Sequence, residues 1–254
     1  MILVFAFGLV GFSTAVYGRF TKQYNPEVSA FGITISSQEN IMVSASGEAG
    51  TFKDVLKLED LVSNTDVSLT PLKGKVTPTE DEKYQVFSLT HSGGAPIAGK
   101  YYSFPLYFVG SSDMNLYFKG STSGVGAIFD DSEADHHFTN EERERLLANL
   151  RIGFLTYSTT YQPSGTGTTI VYSEQPVATN IYATSVISTD NYTTFSKLGY
   201  SNTVSDTVIA HAKKNEVTKV EVVIWLEEDA IGELEAICKL TLSIRFEAIL
   251  ANNS

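Results

Sequence analysis

Cys238-Lys239-Leu240-Thr241-Leu242-Ser243-Ile244-Arg245-Phe246-Glu247-Ala248 is the stretch whose pattern fixes the fold class. Cys238, Leu240, Leu242, Ile244, Phe246 and Ala248 alternate without a break against Lys239, Thr241, Ser243, Arg245 and Glu247. A period of two means a strand with one dry face and one wet face. A second stretch, Thr218–Leu226, sets Val220, Val222, Ile224 and Leu226 on one face. Its other face carries Lys219, Glu221, Val223 and Trp225 and is only partly dry. A strand face of this kind must be covered by a second sheet. The two stretches therefore predict the centre of an all-β, antiparallel, jelly-roll-like β-sandwich, with one or two short helices in its connections.

The chain has 254 residues, of which 43% are apolar, enough for a real core in one β-domain. A formal net charge of −11 argues against a nucleic-acid surface and against docking on an anionic membrane, since both demand basic patches. It suits a soluble secreted protein. Cys238 is the single cysteine, so there is no internal disulfide and no Cys-rich metal site. Its place on the dry face of its strand predicts a buried, inert thiol.

Met1–Tyr17 carries no charge and is mostly Ile, Leu, Val, Phe, Ala and Gly. It is shorter than the roughly 20 residues of a membrane span. It matches the hydrophobic part of a signal peptide, closed by the small residues Ser13, Thr14, Ala15 and Gly18. A signal peptide opens on Lys or Arg, which places the expected start upstream. The other reading is a buried N-terminal strand or helix.

The run Gly11-Phe12-Ser13-Thr14-Ala15-Val16-Tyr17-Gly18-Arg19-Phe20-Thr21 resembles the start of the TasA/camelysin-like surface proteins of Gram-positive bacteria. Tyr102–Phe118 and Val222–Glu227, with the acidic loop and final strand that follow, are similar to later parts of the same proteins. The resemblance implies cleavage after Gly18, leaving Arg19 first; a cut after Ala15 fits the general small-x-small rule. It also implies a β-sandwich that forms extracellular fibres or sits in the biofilm matrix. The expected organisation is a signal peptide over 1–18 and a single domain over 19–254. Camelysin-like proteins are grouped with metallopeptidases, but no His-Glu-x-x-His surrounds His91, His136, His137 or His211 to carry that activity here.

Further along, Tyr102–Val109 and Met114–Phe118 read as a hairpin. Phe138–Leu150 reads as the clearest helix, with Thr139 as cap and Glu142 completing a capping box. Tyr161–Thr169 reads as a flexible loop. Glu174–Ala212 reads as a long surface excursion with a short strand at Val208–Ala210, and Ile231–Ile237 as a helical turn.

Candidate sites are few. Asp130, Asp131, Glu133 and Asp135 could offer oxygen ligands to Ca²⁺, and His136 and His137 could add nitrogen ligands for zinc; the bland reading is a solvated loop before a helix. Glu227, Glu228, Asp229, Glu233 and Glu235 form a second acidic cluster of the same ambiguity. Gly120-Ser121-Thr122-Ser123-Gly124 places its serines one position off the hydrolase elbow, and no Walker-type loop is present. Tyr101, Tyr102, Tyr107, Tyr117 and Trp225 could stack on sugars, although aromatics on alternating strands are mostly core.

These readings converge on a secreted, non-enzymatic fibre subunit that needs no cofactor, with other copies or other surface proteins as partners. After cleavage, Arg19–Ile35 would be a free segment offering Phe20, Val28, Phe31, Ile33 and Ile35 to a neighbour's open sheet edge. The competing outcome is that the segment pairs within its own sheet. A carbohydrate- or protein-binding adhesion module, using Tyr-rich loops such as Asn180–Tyr200, is the alternative function; a secreted hydrolase is the third.

Overall fold

The structure, a computed structural model, describes residues 27–37, 41–57, 69, 71–90, 101–118, 127–130, 139–185, 194–197, 208–227 and 239–251. In chain order the strands are β1 (Glu27–Ser37), β2 (Ile41–Ser44), β3 (Val55–Lys57), β4 (Pro71–Pro78), β5 (Gln85–Thr90), β6 (Tyr102–Gly110), β7 (Met114–Phe118) and β8 (Ala127–Asp130). Helix α1 (Asn140–Asn149) follows, then β9 (Leu150–Thr156), β10 (Thr159–Ser164), β11 (Gly167–Tyr172), β12 (Ala178–Ser185), β13 (Thr194–Lys197), β14 (Val208–Ala212), β15 (Thr218–Glu227) and β16 (Lys239–Leu250). The expected all-β sandwich is present.

Sheet I runs β14-β7-β16-β1-β3, with β8 sharing one side of β16 with β7. Sheet II runs β13-β12-β9-β15; the far side of β15 is taken by β6 along Thr218–Ile224 and by β4 at Leu226 and Glu227. β2 extends β6, and β5 extends β4. Most pairings are antiparallel; β1 with β16 and β4 with β15 are parallel. The two diagnostic stretches thus lie in opposite sheets.

The core is aromatic where the sheets meet. Phe118 of sheet I stands 4.9 Å from Phe154 and 4.8 Å from Tyr182 of sheet II, centroid to centroid. Phe246 of sheet I stands 5.4 Å from Phe154 and 5.2 Å from Phe108. The rings meet edge-on or tilted, which brings the positive edge of one quadrupole to the negative face of the next. Thr156 adds a polar tie, its hydroxyl donating to the Ile209 carbonyl at 2.7 Å.

A smaller core lies on the outside of sheet II, built from Leu72, Leu89, Leu155, Val223 and Trp225. It accounts for Val223 and Trp225 on the partly dry face of β15. The β4–β5 hairpin covers them and is held by Gln85 N–H donating to the Pro176 carbonyl at 2.7 Å. Gly74 is required there, because a Cβ would fall 2.7 Å from Trp225 Cζ2.

Four local expectations change or hold. Helix α1 starts as predicted, with Thr139 accepting from Glu142 N–H and Glu142 reaching back to the cap. Tyr102–Phe118 is not a hairpin: β6 belongs to sheet II and β7 to sheet I, because each has one buried face and the two faces oppose each other across the core. Tyr161–Thr169 is not a loop but most of the β10–β11 hairpin. Glu174–Ala212 holds β12 and β13 as well as β14; Asn180 and Thr184 occupy the buried face of β12 beside Tyr182, and this masks its period. Ile231–Ile237 and Cys238 lie outside the described residues. No helix among the described residues is long and apolar enough to cross a membrane.

Gly74→Ala is expected to destabilise the fold by about 1–3 kcal/mol through overpacking against Trp225, read by denaturant unfolding, with a red shift in the emission of this single tryptophan. The buried Tyr182 hydroxyl finds no hydrogen-bond partner among the described residues. Tyr182→Phe is therefore expected to be neutral or stabilising by up to about 1 kcal/mol in the same assay; a loss of that size would mean the hydroxyl is satisfied.

Candidate functional site

The N-terminal strand has a defined seat. β1 runs parallel to β16 from Glu27 opposite Lys239 to Ser37 opposite Ala248, with one register shift between Val28 and Ala30. Val28, Phe31, Ile33 and Ile35 fall opposite Leu240, Leu242, Ile244 and Phe246. On its other side β1 meets β3 only through Gly32, Ile33 and Thr34. The described part of the segment expected to be free, from Glu27 on, is thus seated in its own sheet, one side held along its length and the other briefly. Phe20, with Gly18 and Arg19 of the expected cleavage site, lies outside the described residues.

β1 and β16 come from opposite ends of the chain, and parallel strands cannot be joined by a tight turn. What holds β1 is its backbone ladder to β16 and, briefly, to β3.

The acidic stretch is placed only at its first residue: Asp130 ends β8, opposite Lys239. Asp131, Glu133 and Asp135 lie outside the described residues, as do Glu228, Asp229, Glu233 and Glu235. Glu227 is engaged, accepting from Trp225 Nε1 at 3.0 Å. Burial pushes the Arg151 guanidinium down while the nearby Glu227 charge opposes that shift. Among the described residues no three His, Cys, Asp or Glu side chains gather as a metal site would require.

A polar cluster not anticipated from the sequence lies on the outer face of sheet II. Glu221 of β15 accepts from the Ser103 hydroxyl of β6 at 2.5 Å and from the Tyr157 hydroxyl at 2.7 Å. Lys219, two residues earlier on the same face, holds its ammonium 4.4 Å from the Tyr157 ring centroid and 5.4 Å from that of Tyr172. Tyr172 in turn stands 5.7 Å from Tyr107, and the Tyr107 ring also lies close against Gly47, at φ +74°. Each contact follows from strand alternation: Tyr107 is opposite Lys219, and Glu221 is opposite Pro105 and Leu155. Of the aromatics considered for stacking, Tyr102 and Trp225 are buried, while Tyr101, Tyr107 and Tyr117 are half-buried. The signal available in the sequence was the Lys219–Glu221 spacing on a face otherwise apolar; the tyrosines that meet it come from three other segments.

This cluster can bind, through ring faces and hydroxyls, and it holds its phenols neutral. Burial, then the hydrogen bond to Glu221, then that carboxylate's charge push Tyr157 well above the usual phenol range. Burial, followed by the neighbouring Tyr107 and Tyr161, pushes Tyr172 up to about 12. No protein family, curated protein or solved structure matches this chain.

The pH dependence has a definite sign. An unfolded phenol ionises near about 10, whereas Tyr172 keeps its proton to about 12. Above pH 10 the unfolded chain binds fewer protons, so stability falls as pH rises through that window and is fully present below it. The urea midpoint is expected to be level up to about pH 9 and to drop between about 10 and 12, less steeply in Tyr172→Phe. Tyr157→Phe should in addition cost about 1 kcal/mol at neutral pH through the lost bond to Glu221. A midpoint unchanged across the alkaline window would contradict this reading.

Proposed function

We propose that the chain is a secreted, non-enzymatic structural subunit of a cell-surface or biofilm-matrix fibre, and that copies assemble by exchanging β1. The observation that supports this is the seat of β1: the first strand, parallel to β16 over Glu27–Ser37 with one register shift, and with only a brief second partner among the described residues. A neighbour's β1 entering the same slot makes the same ladder, so exchange loses no backbone bond. The identical element swapped between protomers is a low-cost route to assembly, and a head-to-tail swap propagates rather than closes. Secretion rests on the resemblance of Met1–Thr21 to a signal peptide of this class.

The second reading, an adhesion module for carbohydrate or another surface protein, is favoured by the Tyr107, Tyr157 and Tyr172 cluster with Lys219 and Glu221. Aromatic faces flanked by hydroxyls and charges suit sugar rings. Both readings allow one protein to build a matrix and grip it.

Three measurements test the first reading. The protein recovered from a culture is expected to begin at Arg19; a full-length chain found in the cytosol would remove the basis for secretion. Residues 19–254, concentrated and imaged by electron microscopy, are expected to form filaments, and a chain lacking residues 19–37 is expected to form none. A synthetic peptide of residues 27–37 should bind that truncated chain and raise its melting temperature. Filaments that persist without β1, or a peptide that does not bind, would sink the exchange mechanism.

A further inference from the structure

The β10–β11 hairpin stands apart from both sheets: among the described residues its strands pair only with each other. Thr160–Thr169 is exposed without interruption, and Val171 is exposed as well. Its base is tied to the body by Tyr172 against Tyr107 and by Val217 N–H donating to the Tyr161 hydroxyl at 3.2 Å. The tip is a two-residue turn with Gly165 at φ +58°, the sign the first position of a type II′ turn needs.

The phase of the ladder decides which backbone groups face outward. Ser173 N–H donates to the Ser158 carbonyl at 3.0 Å, just below the Thr159–Tyr172 pair. Antiparallel pairs alternate between bonded and non-bonded. Thr160–Val171, Gln162–Thr169 and Ser164–Gly167 therefore spend their bonds inside the hairpin. Thr159, Tyr161 and Pro163 of β10, and Thr168, Ile170 and Tyr172 of β11, turn theirs outward. Pro163 has no N–H, and its ring sits on the β10 edge, the device by which natural sheets block pairing. β11 has no such protection. It has no proline, no bulge along its register and no charge; the sequence is uncharged from Ile152 to Ser173. Thr168-Thr169-Ile170-Val171-Tyr172 is instead the β-branched and aromatic composition that favours strand pairing.

We propose that the outer edge of β11, Thr168–Tyr172, docks a second copy of this chain by antiparallel pairing with the same edge. The three outward positions are symmetric about Ile170. A two-fold axis there sets Ile170 opposite Ile170 and Thr168 of each copy opposite Tyr172 of the other, each pair exchanging backbone bonds. The occupant is a like chain because the edge is complementary to itself and uncharged: the antiparallel pair sets no like charges opposite each other, although each chain carries a formal net charge of −11. Two joined arms form a four-stranded sheet, which stabilises a hairpin that is marginal alone in water. The contact closes as a dimer and uses neither β1 nor its slot, so it stands or falls independently of strand exchange.

The test is amide hydrogen exchange at low and high protein concentration, together with sedimentation equilibrium, on the chain as purified. The amides of Thr168, Ile170 and Tyr172 are expected to exchange more slowly as concentration rises, with a monomer–dimer equilibrium. Thr168→Pro copies onto β11 the block that Pro163 places on β10, and Val171→Lys puts a charge beside the two-fold axis on an exposed face. Each is expected to weaken dimerisation by about tenfold or more, the scale of one or two lost backbone bonds, with far-ultraviolet circular dichroism unchanged. Should Thr168→Pro disturb the hairpin itself, Val171→Lys decides alone. A wild-type chain that stays monomeric to about 0.5 mM, well beyond the range of a specific contact, would overturn the proposal. So would a dimer that both variants form as readily.

Discussion

Phe118 is the point on which the sandwich closes. Its ring touches Phe154, Tyr182 and Phe195, three residues on three strands of the opposite sheet. Phe154 and Phe246 continue the chain of edge-on rings to Phe108. Contacts of this kind fix the separation and the rotation of the two sheets together, because each ring must offer its edge to a neighbour's face. Once the sheets are set, the position of every other strand is a matter of register.

The register produces an asymmetry between the two sheets. Sheet II buries both faces of its central strand, β15. One face lies in the main core; the other holds Val223 and Trp225 under the β4–β5 hairpin, then Glu221 and Lys219 among tyrosines. Sheet I has at its middle two strands from opposite ends of the chain, β1 and β16, with no turn to join them. The tyrosine cluster and the parallel β1–β16 pair thus lie on different layers.

Edges are treated differently along the same chain. β10 carries Pro163 where an outward donor would be, and β4 begins and ends on proline. β11, one turn away from β10, carries no comparable block. The cost of leaving one edge open is a risk of unwanted pairing.

The sequence by itself determined the class of fold, the two diagnostic strands and the capping box of α1. Each of these is set by residues close together in the chain: an unbroken period of two, or Thr139 three positions before Glu142. It did not determine that β6 and β7 part into different sheets, since a turn between two half-dry strands reads alike whether it makes a hairpin or crosses the core. Nor did it reveal β12, whose buried Asn180 and Thr184 are polar and break the expected pattern. The Tyr107–Tyr157–Tyr172 cluster and the pairing of β1 with β16 were decided only by tertiary structure. Both depend on which distant strands lie side by side, and strand order is chosen by the packing of the whole core rather than by any local stretch.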